Sequence, residues 1–419
     1  MNMSQQTPDY TIIGAGIVGV SCALYLQREG YSVALIEQTA PGEGASSGNA
    51  GSLGTASIPP TGMPGLVWRV PGMLLDPHAP LIIRWHYLAT LTPWLLRLLR
   101  SSHGTRLKSI TDARAALLSR VHQAYDPLLD EAGLKNVKVE NGRLFAYENT
   151  GAFSNTSAQM RIRQQYGIRM EALTGDQARE MEPALGANVL SALYLPDVHQ
   201  IANPLRLVQG FARHFVARGG TLISDKVTNF VTSGAGVSAL VGSRNTHAVK
   251  NVVVAAGAWS RKLAAQLKVN LPMEAERGYN VTIASPSVRL KMPVSLVEHH
   301  VGVSPMEDGL RICGMAEFAG IDTAPNYTRA DVLMLNARKV IPSLQNDEVS
   351  TRWMGPRPSL PDSVPAIGRT KHLQNVLFAC GHDHLGLTMG PITGRLISQV
   401  AAGKPPEIDL SPYDPDRFS

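Results

Sequence analysis

Three glycines near the start of the chain have the spacing of a phosphate-binding turn. Gly14, Gly16 and Gly19 form the pattern G-x-G-x-x-G after a short apolar run and at the start of a helical pattern. In this setting the first glycine makes a tight turn, the second lets a pyrophosphate approach the backbone, and the third lets the helix pack on the strand. The first helical residues, Ile17 and Val18, would then face the phosphates at the positive end of the helix. The pattern predicts a dinucleotide-binding turn.

An acidic residue follows at the distance that this motif requires. Glu37, with Gln38 after it, stands eighteen residues beyond Gly19 at the end of a second apolar run. A carboxylate there accepts hydrogen bonds from a ribose diol and repels a 2′-phosphate. The motif leaves open whether the dinucleotide is FAD or NAD.

Three further segments are rich in small residues and indicate close contact with a cofactor. Residues 42–51 contain Ser46, Ser47, Asn49, Ala50 and Gly51, and they predict either a flexible turn or a cradle for phosphate and isoalloxazine. Residues 255–260 end a strand in small residues, as expected where a backbone passes a cofactor. Residues 381–394 place glycines and hydroxyls before a helix, whose dipole can stabilise an electron-rich flavin.

The elements that must position these segments alternate between strands and helices. The patterns predict strands at 9–13, 32–36, 221–224, 251–255 and 376–379, and helices at 17–29, 204–218 and about 393–402. A long amphipathic helix interrupted near Pro127 is predicted at 109–131, and alternating β-like segments at 275–318. We therefore expect a discontinuous nucleotide-binding domain with residues 1–75, 195–270 and 355–419. A substrate domain with residues 76–194 and 271–354 would be inserted in it.

Composition narrows the class of protein. With 419 residues, 44% hydrophobic and 17% charged, the chain is long enough for two cores. A net charge of +6, spread along the chain, argues against nucleic acid as a partner. Three isolated cysteines make neither a disulfide framework nor a metal-ligand spacing. A polar start predicts a cytoplasmic protein without a cleaved signal, and charges and prolines break the apolar region at 66–99, so it should not span a bilayer.

Taken in order, the four cofactor segments resemble the D-amino-acid oxidase superfamily of FAD-dependent oxidoreductases. The resemblance is nearest to bacterial D-amino-acid dehydrogenases and their hydroxyproline- and opine-oxidising relatives. It implies an α/β fold: a Rossmann-like FAD-binding domain of the glutathione-reductase type with an inserted α+β substrate domain on a mostly antiparallel sheet. The cofactor residues that it implies, beyond the glycine turn, Glu37, Gln38 and the 46–51 loop, are Val227, Gly257, Trp259, Gly381, His382, His384, Leu385, Gly386, Leu387 and Thr388.

For the substrate, the resemblance points to three regions, residues 277–279, 299–306 and 353–358. Several relatives carry an arginine that clamps the substrate carboxylate where this chain has Met306. Arg357 is the leading replacement because a guanidinium fork suits a carboxylate, although a structural arginine under a proline-rich loop explains it equally well. Tyr279 and His300 are weaker catalytic candidates. His382 and His384 lack a third ligand nearby in sequence, so no metal site is predicted.

The activity implied is oxidative deamination of a small amino acid, with a D-amino acid or D-proline-type substrate favoured. Hydride would pass from the α carbon to flavin N5, and water would hydrolyse the resulting imine. The electrons would go to a quinone or other carrier; the alternatives are an oxidase that makes hydrogen peroxide and a flavoprotein subunit of a hetero-oligomer. A non-catalytic NAD-binding sensor is a further alternative. It would need only the first strand–helix–strand unit at 9–36, so the later cofactor segments argue against it. Leucines at helical spacing in 87–100 predict burial, with attachment to the inner face of the cell membrane or to a partner subunit as the second interpretation.

Overall fold

The structure, a computed structural model, describes residues 7–60, 62–63, 79–149, 157–234 and 236–419. The predicted domain boundary at 75/76 and the first part of the apolar region at 66–99 lie outside these residues.

Strands and helices alternate along the described chain. The strands are β1 (Tyr10–Ile13), β2 (Val33–Glu37), β3 (Leu81–Ile83), β4 (Lys138–Val139), β5 (Arg143–Tyr147), β6 (Glu171–Thr174), β7 (Ser191–Leu195), β8 (Gln200–Ile201), β9 (Thr221–Ser224), β10 (Val227–Ser233), β11 (Gly236–Gly242), β12 (Thr246–Ala248), β13 (Asn251–Val254), β14 (Glu274–Ile283), β15 (Val294–Leu296), β16 (Val301–Met306), β17 (Gly309–Phe318), β18 (Thr351–Ser359), β19 (Ala366–Arg369) and β20 (Val376–Cys380). The helices are α1 (Ile17–Arg28), α2 (Leu88–Ser101), α3 (Gly104–Leu118), α4 (Val121–Glu131), α5 (Ser157–Gln165), α6 (Gly175–Met181), α7 (Pro204–Ala217), α8 (Ser260–Gln266), α9 (Thr328–Val340) and α10 (Gly386–Ala401).

A six-stranded sheet carries the first predicted motif. Its order is β19-β20-β13-β1-β2-β9, and every neighbouring pair is parallel except β19 with β20. The strands β1, β2, β13 and β20 are almost entirely buried and mostly apolar, because both faces of such a sheet are covered. β1 connects through α1 to β2 on one side and pairs with β13 on the other. The carboxyl ends of these three strands therefore meet at one edge, where ligands bind in such sheets.

Helix α10 lies directly against α1 and begins earlier than the sequence predicts. We expected it to start near Thr393, but its first residue is Gly386. Glycine is a poor helix former, yet a Cβ atom at Gly394 would come within 2.6 Å of the backbone of Ser21 in α1. The glycines thus permit close packing of the two helices, and this tertiary gain outweighs their low helix propensity.

The predicted helix at 109–131 is two helices, and its break is not at Pro127. α3 ends at Leu118 and α4 begins at Val121, while Pro127 lies inside α4. The change of direction at 119–120 lets Tyr125 and Leu128 enter the core beside α10. Packing, which a propensity pattern does not encode, decides this break. The start of the helix predicted at 204–218 is confirmed. α7 begins at Pro204, and Asn203 caps it by accepting from the Arg206 amide at 2.9 Å.

A second, nine-stranded sheet has the order β18-β14-β17-β16-β15-β5-β7-β6, with β3 beside β17. Its pairs are antiparallel except β15 with β5 and β17 with β3. One face packs on α9 in an apolar core. The other face carries a row of residues in direct register, from β5 to β18: Phe145, Ser295, Gly302, Cys313, Asn280 and Trp353.

Within the described part of the chain, no helix is both long and apolar enough to cross a membrane. α2, which holds most of the described part of the apolar region, buries Leu91, Trp94 and Leu98 and exposes Leu96. The proposed division of the chain into two domains at the stated boundaries stays a prediction.

Candidate functional site

The turn after β1 has the geometry that its glycines predict. Gly14 has a φ of +103°, and a Cβ atom there would lie 2.6 Å from the carbonyl oxygen of Ala255. A Cβ atom at Gly19 would overlap the carbonyl oxygen of Gly14. Gly16 is different, because its Cβ atom would meet only Ser46 Oγ, at 3.3 Å. The backbone at Gly16 is therefore open to a ligand, as approach of a pyrophosphate requires.

Glu37 fixes the same turn from the end of β2. Its Oε2 atom accepts the Ala15 amide at 2.7 Å, and its Oε1 atom accepts the Gln38 amide at 2.8 Å. A carboxylate has about four acceptor sites on its two oxygens. Glu37 can therefore hold the backbone and still accept hydroxyl donors from a ribose.

The loop at 42–51 connects this turn to the nine-stranded sheet. Ser46 Oγ accepts the Ile17 amide at 3.1 Å, which satisfies a donor at the start of α1. Arg311 donates from Nη1 to the carbonyl oxygens of Ser47 and Asn49, both at 2.8 Å. Asn280 donates to the Gly48 carbonyl at 2.8 Å. Two side chains of the sheet, which the sequence analysis did not single out, therefore hold the loop in place.

The C-terminal segment brings the start of α10 to the same place. Gly381 has a φ of +82°, and Thr388 Oγ1 accepts the Gly54 amide at 2.9 Å. His382 is buried and shares a hydrogen bond of 2.9 Å with Thr393 Oγ1. Val227, at the start of β10, and Gly257, in the turn after β13, reach the site from the six-stranded side.

One cavity of about 1240 Å³ joins these segments to the nine-stranded sheet. It exceeds the ~300–1,000 Å³ of an ordinary small-molecule pocket, so it has room for a dinucleotide and a small second ligand. The predicted cofactor residues that line it are Gly14, Gly16, Ile17, Val18, Glu37, Gln38, Ser46, Asn49, Ala50, Val227, Gly257, Trp259, His382, His384, Leu385, Gly386 and Leu387. Gly19, Ser47, Gly51, Gly381 and Thr388, which were also predicted, are not among the lining residues. We call Gly14–Gly19, Glu37 and Ser46 the glycine cradle.

The sheet side of the cavity is formed by charged and small side chains. We call it the charged sheet face, and it consists of Arg143, Phe145, Glu276, Gly278, Cys313, Trp353 and Arg357. A bulge in β17 leaves Met315 at a φ of +63°. Bulges of this kind re-aim side chains beside functional sites.

Arg357, the predicted carboxylate anchor, already has a negative partner in the protein. Its Nη1 atom lies 2.6 Å from Glu276 Oε1 and 3.0 Å from the Met315 carbonyl. A Cβ atom at Gly278 would overlap the guanidinium, so the glycine makes room for the pair. Burial tends to raise the pKa of Glu276, but the charges of Arg357 and His384 and the hydrogen bonds from Arg357 and Ser359 together outweigh it, and the pKa is lowered. Binding of a substrate by Arg357 stays a prediction.

Tyr279 and Arg277 belong to a second charge cluster. The Tyr279 hydroxyl donates to Glu317 at 2.5 Å, and Glu317 also accepts from Arg84 at 2.7 Å. The fully buried Arg277 lies 3.5 Å from the same carboxylate and does not line the cavity. Tyr279 lines the cavity, but its hydroxyl is committed to Glu317.

His300 lines the cavity from the turn between β15 and β16, where it has a φ of +53° and an exposed side chain. Met306 is buried at the end of β16, with its thioether 3.7 Å from Gln200 Nε2. It packs under the loop near Gly51. A methionine in this position provides no charge for a carboxylate.

Burial disfavours the charged forms of the ionisable groups in the loop before α10. Burial lowers the pKa of His382 to about 3 and that of His384 to about 4. Burial also raises the pKa of Asp383 to about 7, although the charge of Arg114 opposes this. His384 is exposed and lines the cavity.

Comparison with known proteins agrees with this geometry. A family model described as "FAD dependent oxidoreductase" (DAO) matches residues 9–400. The chain belongs to this family. It is 37% identical over 413 residues to a D-amino-acid oxidase of Bradyrhizobium diazoefficiens, covering 97% of this chain and 98% of the relative. It is 30% identical over 421 residues to a D-amino acid dehydrogenase of Paramagnetospirillum magneticum, with 97% and 98% covered.

Solved structures match the fold of this FAD-dependent oxidoreductase over nearly its whole length. A glycine oxidase from Geobacillus kaustophilus gives a TM-score of 0.76 at 22% identity, with 98% of each chain covered. An L-proline dehydrogenase from P. horikoshii gives 0.74 at 21% identity, also with 98% of each covered. The family, the fold class, the cofactor FAD and the oxidoreductase activity predicted from the sequence are confirmed.

The residues of this FAD-dependent oxidoreductase fit its cofactor. The open backbone at Gly16 suits a pyrophosphate, the carboxylate of Glu37 suits a ribose, and the start of α10 lies in the cavity wall. Of the charged sheet face, the sequence pointed to Arg357 and to the regions that contain Gly278 and Trp353, and the other four residues were not found. Arg143, Glu276 and Cys313 stand in strands that carry no motif, and only the register of the sheet brings them together.

Proposed function

We propose that this FAD-dependent oxidoreductase oxidises a small amino acid of D configuration at its α carbon. The observation that carries the proposal is the single cavity that joins the glycine cradle to a cationic sheet face. A guanidinium opposite a flavin site suits a ligand that carries a carboxylate beside its reacting carbon. The relatives named D-amino-acid oxidase and D-amino acid dehydrogenase support the D configuration.

Bound FAD supplies the two-electron acceptor for the hydride of the substrate's α carbon. The protein's part is to bind and orient the substrate and to exclude water. Loss of the hydride leaves the substrate as an imino acid, and water converts it to a 2-oxo acid and ammonia. The reacting amine must be neutral, because its nitrogen lone pair forms the new C=N bond.

Hydride transfer from a neutral amine does not require a side chain of the protein to act as a base. His382 and His384 are weak bases with a lowered pKa, Glu276 is paired with Arg357, and the Tyr279 hydroxyl is bound to Glu317. We therefore expect the rate of flavin reduction to rise with pH along the titration of the substrate's own amine. A profile that follows a protein group of pKa about 7 instead would point to Asp383.

The proposal has two candidate acceptors for the electrons. Relatives at 26–30% identity are named dehydrogenases and support transfer to a quinone or other carrier. The relative at 37% identity is named an oxidase, which makes dioxygen the second candidate acceptor. Attachment to a membrane or to a partner subunit remains a prediction.

The test is anaerobic mixing of the FAD-loaded enzyme with a panel of D- and L-amino acids, prolines, sarcosine and opines. Bleaching of the visible flavin band by D-amino acids, and not by their L enantiomers, is the expected result. Bleaching only by L-amino acids or by amines without a carboxylate would contradict the proposal. Air or a quinone is then admitted. Slow reoxidation of the flavin by air together with fast reoxidation by the quinone indicates a dehydrogenase. Stoichiometric hydrogen peroxide formed at the turnover rate indicates an oxidase.

A further inference from the structure

Two arginines in the cavity wall differ from the rest in lacking a negative partner. Arg143 on β5 and Arg163 on α5 both line the cavity. Among the residues that the structure describes, neither has a carboxylate within ion-pair distance. The third arginine of the cavity wall, Arg357, is paired with Glu276.

Neutral groups hold Arg143 in place. Its Nε and Nη2 atoms donate to Ser295 Oγ at 3.1 and 2.7 Å, and its Nη1 atom donates to Ser52 Oγ at 3.1 Å. Hydroxyl groups orient a guanidinium but do not neutralise it. Ser52 follows directly on the loop at 42–51, so this charge lies at the junction of that loop with the sheet.

Arg163 is held more loosely. It donates from Nε to the Ala56 carbonyl at 3.0 Å, and its two terminal nitrogens have no partner among the described residues. A guanidinium fork in a cavity wall is suited to bidentate binding of a carboxylate.

The ring of Phe145 lies close to both charges. The guanidinium carbons of Arg143 and Arg163 lie 5.2 and 5.7 Å from the centre of its ring, so they are no more than about 11 Å apart. Burial lowers the pKa of both groups, and the charge of Arg143 adds to the lowering at Arg163. Both nevertheless stay charged at neutral pH, since an arginine is not deprotonated in proteins. Two uncompensated charges this close, in a partly desolvated wall, favour an anion between or upon them.

Charge balance specifies the anion. With its amine neutral, as the reaction requires, a neutral amino acid carries one negative charge and an acidic amino acid carries two. Only the acidic substrate matches both arginines. We propose that Arg143 binds the α-carboxylate and Arg163 the side-chain carboxylate, so that the enzyme selects acidic amino acids over neutral ones. The aromatic ring of Phe145 provides an apolar surface for the methylene groups between the two carboxylates. This inference rests on the proposed function.

The experiment compares D-glutamate with D-glutamine and D-aspartate with D-asparagine, which differ only in the side-chain charge. Anaerobic flavin reduction by the FAD-loaded enzyme gives the limiting rate and the apparent Kd for each. We expect the acids to be preferred by about 10–100-fold in rate over Kd, the range of one charge-assisted hydrogen-bonded contact. Equal values, or a preference for the amides, would overturn the inference while leaving the proposed function intact.

Variants separate the two arginines. Arg163→Met should remove the preference for the acids and leave the amides nearly unchanged, and Arg163→Lys should keep part of it. Arg143→Met should weaken acids and amides alike. Arg352→Met is the matched control, because Arg352 lies on β18 of the same sheet and pairs with Asp331 outside the cavity. An unchanged acid-to-amide ratio in Arg163→Met, at normal FAD content and Tm, would exclude Arg163.

A binding measurement separates this inference from the proposed function. Glutarate and butyrate do not react, so their binding can be followed by calorimetry and by the shift of the flavin spectrum. Tighter binding of glutarate that is lost in Arg163→Met supports the dicarboxylate site even if no amino acid bleaches the flavin. Equal binding of both acids in the wild type, with a changed flavin reduction potential in Arg143→Met, would show instead that the arginines serve the flavin.

Discussion

The two ends of the cavity present different atoms to a ligand, backbone atoms at one end and side chains at the other. The glycine cradle presents backbone atoms to its ligand, and one carboxylate, Glu37, is its principal ionisable group. The charged sheet face presents long side chains from β5, β14 and β18 over a floor that includes Gly278 and Cys313. A backbone site depends on the absence of side chains, so few substitutions are tolerated there. A side-chain site on rigid strands can change its ligand through single substitutions without altering the fold.

The largest expected effect is at the cradle. Gly16→Val should fold but lose FAD, since the new side chain meets only Ser46 in the protein and fills the space that the pyrophosphate needs. Gly19→Ala should fail to fold stably, because its Cβ atom would overlap the Gly14 carbonyl. The flavin absorbance per protein and the far-ultraviolet circular dichroism of both variants measure this difference. A yellow, FAD-loaded Gly16→Val protein would contradict a backbone-built cradle.

At the sheet face, the next effect concerns the pair of Arg357 and Glu276. Arg357→Met leaves a mostly buried carboxylate without its partner and should lower the free energy of unfolding by about 3 kcal/mol at pH 7. Because Arg357 lowers the folded-state pKa of Glu276, the stability from this pair is present above the unfolded pKa and is lost as the pH falls through the folded pKa. The deficit of the variant should therefore shrink below about pH 4.5.

Chemical denaturation at several pH values checks this prediction. Arg352→Met is again the control, because its exposed pair with Asp331 should contribute no more than about 1 kcal/mol. If Arg357→Met keeps full stability but loses two decades or more of substrate affinity per FAD-loaded molecule, Arg357 is the carboxylate anchor that the sequence predicts.

A smaller effect is expected at Asp383, between the two ends. Burial raises its pKa to about 7, so the folded state loses stability from this group as the pH rises from about 3.8 to about 7. Asp383→Asn removes the titration and keeps an acceptor for the Leu360 amide. Its Tm should rise relative to that of the wild type as the pH increases from 4 to 7, and then stay level. A difference in Tm that is constant over this range would mean that Asp383 is charged throughout.

The smallest effect is expected for Tyr279. Tyr279→Phe removes one donor from Glu317, which keeps its contacts with Arg84 and Arg277, so the loss of stability should be about 1–2 kcal/mol. Flavin reduction should change less than about threefold. Tyr87→Phe is a matched control, since Tyr87 donates to Glu274 at 2.7 Å outside the cavity. A hundredfold loss of rate in Tyr279→Phe alone would make it a catalytic residue.

The sequence by itself determined the glycine cradle and the six-stranded sheet. Their signals are local: Gly14, Gly16 and Gly19 act within one turn, and continuous apolar runs mark β1, β13 and β20 as buried parallel strands. Chain order and spacing were enough because the atoms that meet the ligand belong to the motif itself. FAD and the family were predicted from the resemblance of the four cofactor segments taken together, since the glycine motif alone leaves NAD open.

Only the tertiary structure decided the sheet face and the start of α10. Arg143 and Cys313 are 170 positions apart in the chain, and the strand order β17-β16-β15-β5 places both on one face of the sheet. The pairing of Arg357 with Glu276 depends on the register of β14 with β18, which neither strand reveals alone. Likewise, α10 begins at Gly386 although it contains glycines that weaken an isolated helix, because Gly390 and Gly394 allow close packing on α1. Long-range pairing and packing are properties of the folded chain, and no short stretch of sequence contains them.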